Sequence, residues 1–232
     1  MPTEQQVKDW YNKRYASQGT NSMRPYEAYP KFLDYLTVAK GKKLLDIGCG
    51  TGFLLLEASK RGLKTFGLDI SEEAVNIARS VSPDSVVSAG ASESLKFEDS
   101  TFDYVYCLGA LEHFLDINKA IQEMKRVAKP DATFCIMVPN CNFLFWKISG
   151  KLGTEQQDIN ERLLSLKEWQ AIFSSNGLKT LKIYQDKWPA RILKILASTN
   201  PLGILKRTLI RIAWTFLPLN YTYQFVFVLR KA

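Results

Sequence analysis

The chain has 232 residues, of which 46% are hydrophobic and 23% charged, with a formal net charge of +8. That length supports a single α/β domain with a sizeable core, expected to span 1–232. No run of eighteen uncharged apolar residues exists, and Lys8, Asp9, Lys13 and Arg14 interrupt the first apolar stretch, which argues against a spanning helix and a cleavable signal.

The charge is uneven. Lys187, Arg191, Lys194, Lys206, Arg207, Arg211, Arg230 and Lys231 face no acidic residue between 187 and 232, which leaves residues 1–186 formally neutral. Cys49, Cys107, Cys135 and Cys141 have no C-x-x-C spacing. Free, buried thiols in a reducing cytoplasm are the expectation.

Two helices, Glu4–Ser17 and Tyr26–Lys40, are predicted ahead of the first strand, with Gly19–Pro25 as a loop between them. Leu44-Leu-Asp-Ile-Gly-Cys-Gly-Thr-Gly52 then reads as an apolar strand running into a G-x-G-x-G loop. The helix after it, 53–61, points its N-terminus at whatever the loop approaches. This is the opening of a nucleoside-binding α/β domain. The dinucleotide fingerprint wants a third glycine where Phe53 stands, and a P-loop wants Gly-Lys-Ser/Thr, so phosphate ligands are disfavoured. Asp46, just before the loop, suits an ammonium group or ribose hydroxyls better.

Next come strand 64–69, helix 72–80, strand 85–88, strand 102–108, helix 116–128 and strand 133–138. Asp69 ends the second strand, where an acidic residue holds ribose hydroxyls; the plain alternative is a solvated turn residue. Ser71 caps the following helix. Ile117, Ala120, Ile121, Met124 and Val127 recur at helical spacing, and Lys129-Pro-Asp131 ends that helix. Ser165-Leu-Lys-Glu168 is a capping box that opens helix 165–176, which Gly177 stops. Strands 179–185 and 223–229 finish the sheet. Helix 202–217 carries Leu205, Leu209, Ile212 and Phe216 on one face, and Ile210, Trp214 and Leu217 among Arg207 and Arg211 on the other. The second apolar stripe fits a membrane, a partner subunit or a long apolar substrate, or else packs inside the domain.

Leu44–Gly52, Leu68–Ser71, Ala91–Phe97, Phe102–His113 and Met124–Pro139 together resemble the class I S-adenosylmethionine-dependent methyltransferases. The likeness is to the type 11, small-molecule branch that includes ubiquinone- and menaquinone-pathway enzymes. It implies a Rossmann-like, seven-stranded, mostly parallel sheet with helices on both faces and one antiparallel strand in the last pair. It also implies an N-terminal helical lid (1–40), a cofactor-binding core (41–139) and a substrate- or membrane-facing remainder (140–232) with helical insertions. Within that remainder, Asn142–Leu152 stands where similar enzymes place substrate-facing elements.

By the same resemblance, S-adenosylmethionine is the cofactor and S-adenosylhomocysteine the product. Gly48, Gly50 and Gly52, with Cys49 between them, would line the cofactor, and Asp46 would turn toward its amino group. Asp69 would take the ribose hydroxyls and Ile70 would pack on the adenine face. Ala91 and Ser92 stand where an acidic and a small residue usually face the adenine amino group. Ala91 departs from that pattern, which leaves recognition there to backbone groups or water. Leu108 and Gly109 would meet the methionyl ammonium, while Tyr15, Arg24 and Tyr26 would lie near the methionine end.

His113, the only histidine, follows Glu112 just after the fourth strand. An unperturbed imidazole there is a competent base for an acceptor hydroxyl; the plain alternative is a structural histidine. Glu112 would orient the acceptor. Two adjacent ligands are too few for a metal, so none is expected. Cys49 has no nearby partner that would make it a nucleophile and reads as packing. The expected function is methyl transfer to a small molecule, with an apolar or lipid-linked hydroxyl acceptor as the favoured subset. Two alternatives are a nucleic-acid methyltransferase and a fold relative that binds the cofactor without transferring methyl. Val138-Pro-Asn140 lacks the Asn/Asp-Pro-Pro-aromatic motif of base-amino methylation, and no RNA-binding module is visible, so nucleic acid is disfavoured. The basic 187–232 stretch suggests contact with an anionic membrane, hence a cytoplasmic protein with peripheral membrane association.

Overall fold

The computed structural model describes residues 2–150, 153–154, 156, 159–186 and 216–232. Helices α1 (Glu4–Gln18) and α2 (Pro30–Leu36) precede the sheet. Then follow β1 (Lys43–Ile47), α3 (Phe53–Lys60), β2 (Lys64–Asp69), α4 (Glu72–Val81), β3 (Val86–Ala89) and β4 (Phe102–Leu108). The remaining elements are α5 (Ile117–Val127), β5 (Ala128–Pro139), α6 (Leu144–Ser149), α7 (Leu166–Ser175), β6 (Leu178–Gln185) and β7 (Gln224–Lys231).

The strands form one sheet in the order β3-β2-β1-β4-β5-β7-β6. Neighbours from β3 through β5 pair in parallel, and β7 runs antiparallel to both β5 and β6. Alternate residues feed two cores. Phe102, Phe134, Phe225 and Phe227 pack with Ile121, Met124, Trp169 and Phe173 on one face. Leu44, Tyr106, Cys135 and Val226 pack with Phe32, Leu33, Leu54 and Leu55 on the other. Covered on both faces, the central strands need near-continuous apolar runs, and β4 and β5 have them.

Most predicted elements appear within a residue or two, with two instructive differences. The predicted helix 26–40 is broken: Tyr26–Ala28 is a 3₁₀ turn, and α2 begins with Pro30 at its first position, where a missing N–H costs nothing. It stops at Thr37, whose φ of 49° is left-handed. β5 starts at Ala128 rather than 133, because Pro130 drives Lys129 out of helical space. The chain therefore goes straight from α5 into an extended segment, with a register shift against β4 between Phe102 and Tyr104. The Ser165 capping box is present, with Ser165 N donating to Glu168 Oε2 at 2.7 Å. Helix 202–217 lies outside the described residues apart from Phe216 and Leu217; Phe216 is a turn residue and is exposed. No helix among the described residues is long and apolar enough to cross a membrane.

α1 has little apolar surface of its own, with only Val7 and Tyr15 buried. Polar ties hold it over the sheet: Ser71 Oγ donates to Asn12 Oδ1 at 2.7 Å, and Lys8 pairs with Glu72 at 2.8 Å. This brings the N-terminal segment across the carboxyl ends of β1 and β2.

Candidate functional site

The carboxyl ends of the parallel strands open into a cavity of about 1230 Å³. The strand order reverses between β1 and β4, and such a topological switch point is where open α/β sheets form a crevice. Tyr15, Arg24, Tyr26, Gly48, Asp69, Ile70, Ala91, Ser92, Leu108, Gly109 and His113 all line it. Asp46, Cys49, Gly50, Gly52 and Glu112 do not.

The loop residues are occupied with the protein itself. Gly48 has φ +70°, and a Cβ there would fall 2.4 Å from that of Ala110. Gly52 has φ +77°, and a Cβ would fall 2.9 Å from Ala78 of α4. The third glycine thus lets two helices approach closely. Gly50 lies beneath the N-terminal segment: a Cβ would meet the Tyr15 hydroxyl at 2.9 Å, and that hydroxyl donates to Met23 Sδ at 3.4 Å. Cys49 is buried in the core beside Gly67 and Leu55, as its packing role requires. Burial, with Asp69 nearby, raises its thiol pKa well above the ordinary value.

Asp69 is buried at the end of β2, with Oδ2 accepting from Gly50 N and Oδ1 from Ser71 N, each at 2.9 Å. Burial lifts its pKa to about 6 against the pull of these amides, so it is ionised at neutral pH. A carboxylate with two such bonds retains lone pairs for ribose hydroxyls. Asp46 sits behind the loop, 3% exposed, and its Oδ1 has no partner among the described residues. Burial and the neighbouring Asp69 raise its pKa well above the carboxylate range. That orphaned acceptor fits a polar group reached directly or through water.

Ser92 donates to Glu93 Oε2 at 2.8 Å, and Glu93 also accepts from Asp116 N at 3.2 Å. Glu93 also lines the cavity and puts a carboxylate two residues after Ala91, a signal present in the sequence. Phe143 and Trp146 were legible only as part of a substrate-facing stretch. The structure joins them to Tyr223: ring centroids lie 5.4 Å apart for Phe143–Trp146, 5.1 Å for Phe143–Tyr223 and 5.9 Å for Trp146–Tyr223. Nothing in the sequence marks Tyr223 or Gln224, whose placement depends on long-range pairing of β7 with β5. Nothing local marks Tyr11 of α1 either, which meets His113 edge-on at 6.1 Å only through the tertiary placement of α1.

The His113 side chain corrects the expectation of an ordinary imidazole. It is 4% exposed, and burial, helped by Arg14 and Arg162, pushes its pKa down to about 3. The ring is neutral at physiological pH and only weakly basic, and its Nδ1 has no partner among the described residues. Its Nε2 lies 3.9 Å from Glu112 Oε1. Burial lifts Glu112 to about 8, so its carboxyl is largely protonated at pH 7, and its Oε2 has no partner among the described residues. No group of three His, Cys, Asp or Glu among the described residues forms a metal site.

Arg24 crosses to the far side of the cavity. It donates to Asp186 Oδ2 at 2.7 Å and to Gln224 Oε1, while Lys31 reaches Asp186 Oδ1 at 3.2 Å. Burial opposes the guanidinium charge, but Asp186 outweighs it and raises the pKa.

Comparison with known proteins agrees with this geometry. The methyltransferase-domain family model matches residues 45–136. The chain is similar to the uncharacterized methyltransferase YcgJ of Bacillus subtilis (strain 168), at 35% identity over 156 residues, 63% of this chain and 60% of that protein. It is also similar to the ubiquinone biosynthesis O-methyltransferase of Hahella chejuensis, at 35% identity over 122 residues, 49% of this chain and 51% of that protein. The matched segments thus span only about half to three fifths of the length of these two relatives. In fold, the chain resembles the geranyl diphosphate C-methyltransferase of Streptomyces coelicolor A3(2), solved with S-adenosyl-L-homocysteine. There the TM-score is 0.69 at 12% identity, over 100% of this chain and 99% of that one. Residues 45–136 match the methyltransferase-domain family model, and with these relatives they support a class I S-adenosylmethionine-dependent methyltransferase of type 11.

Proposed function

We propose that this protein transfers the methyl group of S-adenosylmethionine to a hydroxyl on an apolar small molecule. The observation that carries this reading is the continuity of one cavity from Asp69, Ile70 and Gly109 to the wall of Phe143, Trp146 and Tyr223. Its volume of about 1230 Å³ exceeds the roughly 300–1,000 Å³ of a single small-molecule site, so it has room for a cofactor and an acceptor together.

Asp69 would hold the ribose, Ile70, Ala91 and Ser92 the adenine, and the Leu108–Gly109 backbone the methionyl ammonium. When bound, the sulfonium supplies an electrophilic methyl carbon and its own leaving group. The chain's task is alignment and exclusion of water, which can lower a barrier by several kcal/mol. Tyr15 and Met23 close over the loop and serve the second purpose. Neutral His113 accepts the hydrogen bond of the acceptor hydroxyl, and Glu112 behind it becomes charged as pH rises.

The cations of 187–211, unaccompanied by acids, would face an anionic lipid surface from which an apolar acceptor is drawn. Incubation with methyl-labelled S-adenosylmethionine tests the reading. Label should enter the organic phase of a lipid extract and release S-adenosylhomocysteine. Label in RNA alone, or in neither, would overturn it.

A further inference from the structure

Arg24, which the resemblance sets near the cofactor's methionine end, stands in a corner of the cavity with Asp186, Gln224 and Lys31. Arg24 lines the cavity, its Nη2 serves Asp186 and Gln224, and its buried Nη1 has no partner among the described residues. Asp186 is fully buried and already shared with Lys31. One carboxylate therefore answers two cations, and the corner keeps net positive charge. Of the neighbouring ionisable groups, Glu112 is largely neutral at pH 7 and His113 is neutral, while the Glu161 carboxylate is held by Thr154 N at 2.9 Å and Oγ1 at 3.1 Å and is not among the groups that act on Arg24. A charged donor left unsatisfied in a low-dielectric cavity is costly, and an anion relieves it.

The corner lies on the acceptor side. Gln224 and Asp186 belong to the ends of β7 and β6, beyond β5 from the β4 end where the cofactor residues stop. Tyr223, next to Gln224, is part of the aromatic wall with Phe143 and Trp146. A Cβ on Gly109 would stand 3.9 Å from Gln224 Nε2 and 3.9 Å from Glu112 Oε1, so this wall and this charge adjoin the cofactor's reactive end.

Resting on the methyltransferase reading above, we propose that Arg24 anchors an anionic group of the acceptor, and that the acceptor is a ring-bearing carboxylate seated against Phe143, Trp146 and Tyr223. The guanidinium Nη1–H meets the carboxylate while the ring packs on the aromatic wall, which leaves a ring hydroxyl to face His113. A cofactor carboxylate offers the same anionic chemistry, so the experiment must separate the two sources.

The probes are 2-naphthoate and its uncharged counterpart 2-naphthalenemethanol, titrated calorimetrically into the whole chain with and without saturating S-adenosylhomocysteine. Wild type should bind 2-naphthoate roughly tenfold or more tighter than the alcohol, as a charge-assisted bond predicts. Arg24→Gln should abolish that preference, Arg24→Lys should keep part of it, and S-adenosylhomocysteine affinity should stay within about twofold in both. Circular dichroism establishes that the variants are folded, and if Arg24→Gln is not, the reduced preference of Arg24→Lys carries the test. Equal binding of the two probes by wild type, or an unchanged preference in Arg24→Gln, overturns the proposal. So does a large loss of S-adenosylhomocysteine affinity in Arg24→Gln with 5′-methylthioadenosine, which lacks the carboxylate, unaffected; Arg24 would then serve the cofactor. Failure of wild type to bind S-adenosylhomocysteine refutes the underlying reading instead, and the titration without it still decides whether the corner prefers an anion.

Discussion

The Gly50 amide donates to Asp69 Oδ2 at 2.9 Å, so the glycine loop and the end of β2 are fixed to each other before any ligand arrives. The same carboxylate orders the loop and faces the cavity, and its ionisation should govern cofactor affinity. Removing it by Asp69→Ala should weaken S-adenosylhomocysteine binding by roughly 2–4 kcal/mol, the value of charged hydrogen bonds plus a loosened loop. Because burial raises Asp69 to about 6, wild-type affinity should fall as pH drops through 6, when an acceptor becomes a protonated acid. Calorimetry between pH 5 and 8 should show that decline in wild type and a flat line in Asp69→Ala. A flat wild-type profile would remove Asp69 from the ribose site.

Gly52→Ala addresses packing. The left-handed φ of +77° and the 2.9 Å approach to Ala78 should together cost roughly 2–4 kcal/mol of stability, seen as a lower urea midpoint. A variant as stable as wild type would show that α3 and α4 can separate freely.

Glu112 should make stability depend on pH. Its folded pKa of about 8 lies above the ordinary 4.5, so the native state holds a proton that the unfolded chain releases. That contribution is full below about pH 4.5 and is lost as pH rises through 8. Glu112→Gln cannot ionise. Its melting temperature should exceed that of wild type at pH 8 and approach it at pH 4.5. Parallel profiles for the two proteins would place the Glu112 carboxyl in contact with water.

His113 lies too low in pKa, at about 3, to act as an ordinary base. The turnover profile should therefore show no inflection near 6.5, and any rise should follow Glu112 near 8. His113→Ala should reduce kcat at least tenfold while leaving S-adenosylhomocysteine affinity unchanged. A wild-type inflection near 6.5 that vanishes in His113→Ala would restore the histidine as base.

The basic stretch 187–232 should sediment the protein with anionic liposomes at low salt and not with neutral ones. Each cation near the surface contributes about 1 kcal/mol, so the paired reversal Arg207→Glu/Arg211→Glu should reduce binding sharply. Equal binding by the reversed protein would assign these residues another role.

The order of strands and helices, the nucleoside loop and Asp69 were all legible in the sequence, because each depends on local pattern. An apolar strand, positive-φ glycines and a terminal carboxylate follow one another within 26 residues, Leu44 to Asp69. The capping box at Ser165 is local in the same sense, satisfied within three residues. The acceptor side was not legible. Arg24 meets Gln224 across 200 positions, and Tyr223 meets Phe143 only because β7 pairs antiparallel with β5. Burial decided the rest: the sequence supplies an ordinary histidine and glutamate at 113 and 112, and only removal of water by the surrounding fold lowers one pKa to about 3 and raises the other to about 8. Patterns of neighbours fixed the cofactor half, and desolvation and strand pairing over long separations made the other.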